Sequence, residues 1–198
     1  MANLAPAPAP GAHYADPAPL GLGAFALTTF VLSVVNMNWI PASTTGVVLG
    51  LALAMGGGAQ ILAGMWEFAK GNTFGATAFT SFGAFWVSFW WLAEHDLGGL
   101  GSDAHKALGY YLVAWGIFTA YMTIAATRVS GAVLTVFVLL TVTFFLLAAG
   151  DFNTSENLTK TGGYFGLFTA IAAWYTAFAG VTKSTYGRDV LPTMPLAK

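Results

Sequence analysis

Residues able to do chemistry are scarce in this 198-residue chain, which is 57% hydrophobic and only 8% charged. The densest group is Glu94, His95, Asp96, Asp103 and His105, the composition of a metal site. These residues fall in one short polar stretch without a metal-ligand spacing, so a solvated loop is the better reading. Cysteine is absent, which removes disulfides and thiolate chemistry. No Lys or His falls inside a long apolar run. A retinal Schiff base and histidine haem ligation therefore have no residue to use. There is no Walker sequence and no Asp–His relay within a run. No metal, no cofactor and no catalytic residue is expected, and the chain does not read as an enzyme.

What survives within the predicted membrane spans is one amide, a set of hydroxyls, and many aromatics and glycines. The amide is Gln60. At mid-membrane depth it needs a partner, which a polar path and a neighbouring helix would supply equally well. It belongs to a stripe of Gly46, Gly50, Leu53, Gly57, Gln60, Gly64 and Glu67, whose alternating spacing predicts one helix face. Small residues in such a stripe serve close helix packing. Glu67 falls near the helix end, where a snorkelling or solvated carboxylate is expected. Asn72 or Thr73 caps the next helix, and a helix N-terminus also favours an anion. Thr77, Thr80 and Ser81 follow, able to line a polar path or to bond back to their own helix. Phe79, Phe82, Trp86 and Phe89 recur at helical spacing, which packing explains first. With no cation inside to pair with an anion, this inventory suits a narrow, largely apolar path. Its solute would be small and weakly polar or transiently neutral.

The elements that hold these residues follow from charge. No Asp, Glu, Lys or Arg occurs from Pro17 to Trp66, and further uncharged runs span Gly71–Ala93, Ala107–Thr127, Val129–Gly150 and Thr161–Thr182. A membrane span takes about 20 apolar helical residues. The first run then holds two spans and each other run one. The expected fold is an all-α membrane protein, a bundle of six transmembrane helices in the lipid bilayer. Their predicted ranges are Leu20–Val35, Thr44–Phe68, Thr73–Leu92, Lys106–Thr127, Gly131–Ala149 and Thr161–Thr182. Polar loops are expected at Glu94–His105 and Asp151–Lys160. Residues 1–16 read as an Ala/Pro-rich tail without the basic start of a secretory signal. Residues 17–183 form the transmembrane domain, and 184–198 a second tail. Lys70, Arg128, Lys183, Arg188 and Lys198 share the side of the termini, against Lys106 and Lys160 opposite. The positive-inside rule puts both termini in the cytoplasm. An odd number of spans per half allows a 3+3 inverted repeat; Phe74-Gly75 and Phe165-Gly166, opening the third and sixth helices, are its sequence support.

Three blocks of sequence carry a family likeness. Pro17-Ala18-Pro19-Leu20-Gly21-Leu22, with Phe25 after it, resembles the Asn-Pro-Ala-Pro-Leu-Gly-Leu signature of the acetate uptake transporter family. That family includes bacterial acetate/succinate permeases and yeast ammonia/acetate proteins. The second block joins Gly57, Ala59-Gln60-Ile61, Ala63-Gly64 and Glu67 to Gly71-Asn72-Thr73-Phe74-Gly75. The third is Tyr186-Gly187-Arg188 with Val190-Leu191-Pro192. The resemblance implies six helices, cytoplasmic termini in the plasma membrane, and a homo-hexamer with one path through each protomer. It implies a constriction of Phe, Tyr and Leu, matched here by Phe25, Phe82 and Leu140. A small residue aligned with Ala173 is the implied size selector, and Pro17, Pro19 and Gly21 are signature positions. Two departures stand out. Asp16 replaces the leading Asn, and Phe82 lacks the Tyr hydroxyl, which makes the neck drier.

The expected solute is acetate or a similarly small monocarboxylate. Its obstacle is desolvation, since a bare carboxylate in an apolar neck is very costly and a protonated acid is not. With a pKa like that of a Glu side chain, roughly one acid molecule in 500 is neutral at pH 7. Either the acid crosses neutral, or groups such as Thr28, Gln60, Asn72, Thr73 and Thr80 replace its water shell. A channel and a proton-coupled transporter both fit. The rival readings are the same architecture passing ammonia, urea or succinate, and a non-transporting structural or sensory membrane subunit. Nucleic acid is not an expected partner.

Overall fold

Each long uncharged run becomes helix, because a backbone surrounded by lipid must satisfy its polar groups within the segment. A computed structural model describes residues 14–96 and 99–196. The long helices are α1 (Ala18–Asn36), α2 (Ala42–Lys70), α3 (Thr73–Trp91), α4 (Ala104–Ala126), α5 (Gly131–Phe152) and α6 (Glu156–Tyr186). Among the described residues, five membrane-length segments are apolar enough to cross a bilayer, and α3 is the exception. It has 19 residues and no charge, but its Thr, Ser, Gly and Trp residues lower its hydropathy. The expected all-α bundle is present. Residues 1–13, most of the predicted N-terminal tail, lie outside the described residues, as does Lys198.

The helices run up and down between two faces. The terminal face carries the start of α1, the α2–α3 turn, the α4–α5 turn and the end of α6. There Asp16 pairs with Lys70 at 2.7 Å. The loop face carries the other turns, tied by Asn38 donating to Glu156 at 3.1 Å and by His105 beside Asp151 at 3.0 Å. Helix α1 packs on α6, α6 on α5, α5 on α4, and α2 on α3.

Local sequence sets the helix ends. Helix α1 begins at Ala18, ahead of the predicted Leu20, because Pro19 falls in the first turn where no N–H is needed. Gly71 closes α2 at φ 77°, a left-handed conformation that suits glycine. Asn72, rather than Thr73, caps α3 by accepting from the Gly75 N–H at 3.2 Å. The predicted polar loop Asp151–Lys160 shrinks to Asn153–Ser155. Ser155 caps α6 through the Leu158 N–H, and Glu156 and Lys160 pair one turn apart at 2.7 Å. At its far end α6 continues to Tyr186, past the predicted domain boundary at residue 183. The C-terminal segment then returns to α5. The N–H groups of Gly131 and Ala132 donate to the carbonyls of Met194 and Thr193 at 2.7 and 3.2 Å. The unpaired N–H groups that open α5 are thereby satisfied.

The glycine stripe of α2 does not stay on one face. Residues Ala52–Ala59 form a widened π-helical segment, which rotates everything beyond it. Gly46, Gly50 and Leu53 are exposed, whereas Gly57, Gln60, Gly64 and Glu67 are buried. The widening occurs at Gly56-Gly57-Gly58, where there are no side chains to resist it. It also makes room for Trp86, one of the largest fully enclosed side chains. A Cβ at Gly56 would lie 2.6 Å from Trp86 Cγ and 2.9 Å from Thr28 Oγ1. Gly21 has a comparable task, since its Cβ would lie 2.7 Å from the Phe79 ring. Gly23 is different: the nearest atom to an added Cβ is 4.0 Å away. Gly56→Ala should therefore cost about 1–3 kcal/mol of overpacking and lower the melting temperature in detergent. Gly23→Ala should leave it unchanged or raise it, since Ala favours helix by about 1 kcal/mol.

Candidate functional site

Two internal cavities meet at the middle of the bundle. The terminal-side cavity, of about 90 Å³, is walled by α1, α2, α3 and α5 and includes Leu22, Gln60, Glu67, Asn72, Phe79 and Phe82. The loop-side cavity, of about 190 Å³, includes Thr29, Ser33, Asn36, Trp86, Thr143, Asp151 and Thr159. Phe25 and Leu140 line both. Phe82 lines the terminal-side cavity, and Phe85, nearly one turn on, lines the other. The residues matched to the implied constriction are thus gathered at the junction. All three are buried, and the Phe25 and Phe82 rings stand 5.8 Å apart between centroids.

Aromatic packing fixes Phe82 in place. Its ring meets Phe118 edge-on at 5.3 Å, Phe137 at 6.0 Å and Trp115 at 6.2 Å. Such contacts are worth about 0.5–1.5 kcal/mol each beyond burial, so the ring is held from several sides. Every ring named here is apolar except the Trp115 indole. The junction offers a permeating carboxyl group almost nothing to bond.

Polar groups sit on either side of this neck. In the terminal-side cavity the amide oxygen of Gln60 is buried with no hydrogen-bond partner. So is Oε1 of Glu67, while its Oε2 accepts from Asn72 Nδ2 at 2.9 Å. Glu67 is 0% exposed, which overturns the snorkelling or solvated carboxylate expected from its place near the helix end. The reason is geometric: beyond the π segment, this face of α2 turns inward against α3. A Cβ at Gly75 would lie 2.8 Å from the Glu67 carboxyl carbon, so α3 seals the carboxylate in. In the loop-side cavity Thr29 Oγ1 and Trp86 Nε1 are likewise buried without partners. Among the described residues neither cavity lining contains Lys, Arg or His.

The other candidate residues are distributed unevenly. Thr28 is fully buried but faces α2, donating to the Ala24 carbonyl at 3.0 Å and the Leu51 carbonyl at 3.5 Å. The cavity hydroxyl on that stretch is its neighbour Thr29. Thr80 presses against Gly64 with its Oγ1 buried and unpartnered, at the α2–α3 contact rather than in a cavity wall. Thr73 is exposed on the terminal face. Ala173 is fully buried in the core that holds Phe25 and Leu140, but outside both cavity linings. Asp16 accepts from the Ala18 N–H at 3.3 Å as well as pairing with Lys70, so it both caps α1 and shapes the terminal face. Of the metal-like group, Glu94 and His95 fall in a π-helical turn, Leu92–Asp96, and no group of three metal-ligating side chains occurs among the described residues.

Comparison with known proteins follows the same outline. The sequence is 40% identical over 180 residues to the succinate-acetate/proton symporter SatP of Escherichia coli K12, covering 90% of this chain and 94% of that one. It is 41% identical over 197 residues to acetate permease A of Emericella nidulans, covering 90% of this chain and 65% of the longer relative. The fold matches the solved structure of the bacterial acetate channel SatP with a TM-score of 0.85 and 39% identity, covering 91% of this chain and 99% of that one. The family model described as the GPR1/FUN34/yaaH family matches residues 1–198. A multi-pass helical bundle with this family's sequence along its whole length, the chain belongs to the GPR1/FUN34/yaaH family.

Proposed function

We propose that the chain carries acetate and similarly small monocarboxylates across a membrane, through the two cavities and the neck between them. The observation that carries this reading is a pair of cation-free cavities meeting at Phe25 and Leu140. An anion would enter such a neck stripped of water and without a counter-charge, at a prohibitive cost. A neutral acid crosses at far lower cost. Behind the wall of the terminal-side cavity, Gln60 and Glu67 hold acceptor oxygens that lack a donor, and a small side-chain shift would turn them to the acid's proton. The wall of the loop-side cavity encloses a hydroxyl and an indole N–H without partners, which a small side-chain shift would turn to the acid's carbonyl oxygen. Transport in step with a proton fits these groups better than passage of the bare anion. Lowering the pH from 7 to 6 raises the neutral fraction about tenfold, so uptake should rise steeply with acidity.

In this reading Phe25, Phe82 and Leu140 form the constriction. Ala173 sets the size of the solute indirectly, by fixing how closely α6 supports α1. The terminal face is cytoplasmic, since it holds Lys70, Arg128, Lys183 and Arg188 against Lys106 and Lys160 on the loop face. The plasma membrane is the site of action. The homo-hexamer that the family resemblance implies is the proposed assembly, and the open space beside Gly46 and Gly50 permits close approach of a second copy.

Purified protein in proteoliposomes with an inward proton gradient should accumulate labelled acetate above empty vesicles. Equal uptake in both would sink the reading, and preferential flux of ammonia or urea would replace the solute. Phe25→Ala, which removes a ring from the wall shared by both cavities, should increase the entry of larger monocarboxylates relative to acetate severalfold. Glu67→Gln keeps the size and the Asn72 contact but removes the carboxylate. It should slow acetate uptake severalfold while leaving the final accumulation set by the pH gradient, because the acid that crosses still carries its own proton. Phe82→Tyr restores a hydroxyl to the neck and should flatten the pH dependence of uptake. A profile identical to that of the wild type would argue against a dry neck.

A further inference from the structure

One charged group faces the loop-side cavity and has no part in the path described above. Asp151, at the end of α5, lines that cavity and is 18% exposed at its side chain. Its Oδ1 lies 3.0 Å from Nδ1 of His105, which stands at the start of α4 with 64% of its side chain exposed. Among the described residues this is the ion-pair contact Asp151 makes within 4 Å, and no Lys or Arg joins it. The charges nearby are otherwise engaged or directed elsewhere. Glu156 and Lys160, on α6, pair with each other at 2.7 Å. Asp103, just before α4, and Lys106 on α4 flank His105 without an ion pair to Asp151. From α1 and α3 the wall brings Asn36, Ser33 and aromatics, none of which titrates near neutrality.

We infer that the Asp151–His105 pair sets which carboxylates enter the loop-side cavity, and that protonation of His105 relaxes the restriction. The inference rests on the proposed transport of small carboxylates. With His105 neutral, the mouth carries one uncompensated negative charge. A monoanion waiting to be protonated feels it once, and a dianion feels it twice. At about 6 Å in water-like dielectric the second charge lowers occupancy about threefold. Histidine is the side chain that gains its charge across the physiological pH range, and once His105 is a cation the pair is neutral. The site therefore favours monocarboxylates at neutral pH and admits dicarboxylates more readily when acid.

The test is tracer uptake of acetate and of succinate into proteoliposomes buffered to the same pH on both sides, so that orientation does not matter. At pH 7.5, Asp151→Asn should raise the succinate-to-acetate ratio about threefold, or admit succinate if the wild type excludes it. His105→Lys places a permanent cation at an exposed position and should shift the ratio the same way. His105→Gln should match the wild type at pH 7.5 and fall about twofold below it at pH 5.5, where only the wild type is neutralised and about half of the succinate is still a dianion. The inference is overturned if Asp151→Asn and His105→Lys leave the ratio at the wild-type value. It is equally overturned if His105→Gln tracks the wild type at both pH values. Acetate uptake in each variant reports a folded protein. Absence of acetate uptake in the wild type would defeat the transport reading itself, which is a separate result.

Discussion

The contact between the Phe25 and Phe82 rings, 5.8 Å between centroids, governs what the rest of the bundle must do. Apolar rings at the meeting point of two cavities leave a carboxylate without water and without hydrogen bonds. Burying an unpaired charge in such surroundings is so costly that the charge is given up first. The chain has no arginine or lysine at this depth to offset that cost. In the proposed reading, polar groups on each side of the neck receive the solute and it crosses as the neutral acid.

Helix α2 makes that arrangement possible. Its π segment, Ala52–Ala59, turns Gln60 and Glu67 inward while the earlier glycines face outward. Trp86 fills the space opened at Gly56, and the aromatic cluster around Phe82 holds the neck in one geometry. The Glu67 carboxylate is kept in a buried position by Asn72, the same residue that caps α3. One short turn, Lys70 to Asn72, thus joins helix termination to the polar end of the terminal-side cavity. At the far end of the path the control is electrostatic rather than steric, through the Asp151 carboxylate and its exposed histidine partner.

Much of this architecture is legible in the sequence. Charge-free runs marked the helices because lipid tolerates no alternative backbone. The sign of the turns marked the faces. Phe25, Phe82 and Leu140 came from family resemblance, and nothing in their spacing alone would have joined residues on three helices. The burial of Glu67 is not legible, because depth along a helix says nothing of direction around it, and the π segment that redirects it has no sequence signal beyond three consecutive glycines. Thr28 was placed in the path instead of Thr29 for a similar reason: adjacent positions differ by about 100° around the helix. The Asp151–Lys160 loop was overdrawn because its charges looked solvated. Ser155 and the Glu156–Lys160 pair, read as a helix start, would have corrected it.

The most direct test of the central claim is electrical. Acetate uptake by purified protein can be measured beside membrane current under voltage clamp in planar bilayers. If acetate crosses the Phe25–Phe82 neck only as the neutral acid, robust tracer flux should carry no net charge, and an acetate gradient should set no reversal potential. A steady current whose reversal potential follows the acetate gradient would mean that the bare anion passes, and would contradict the account.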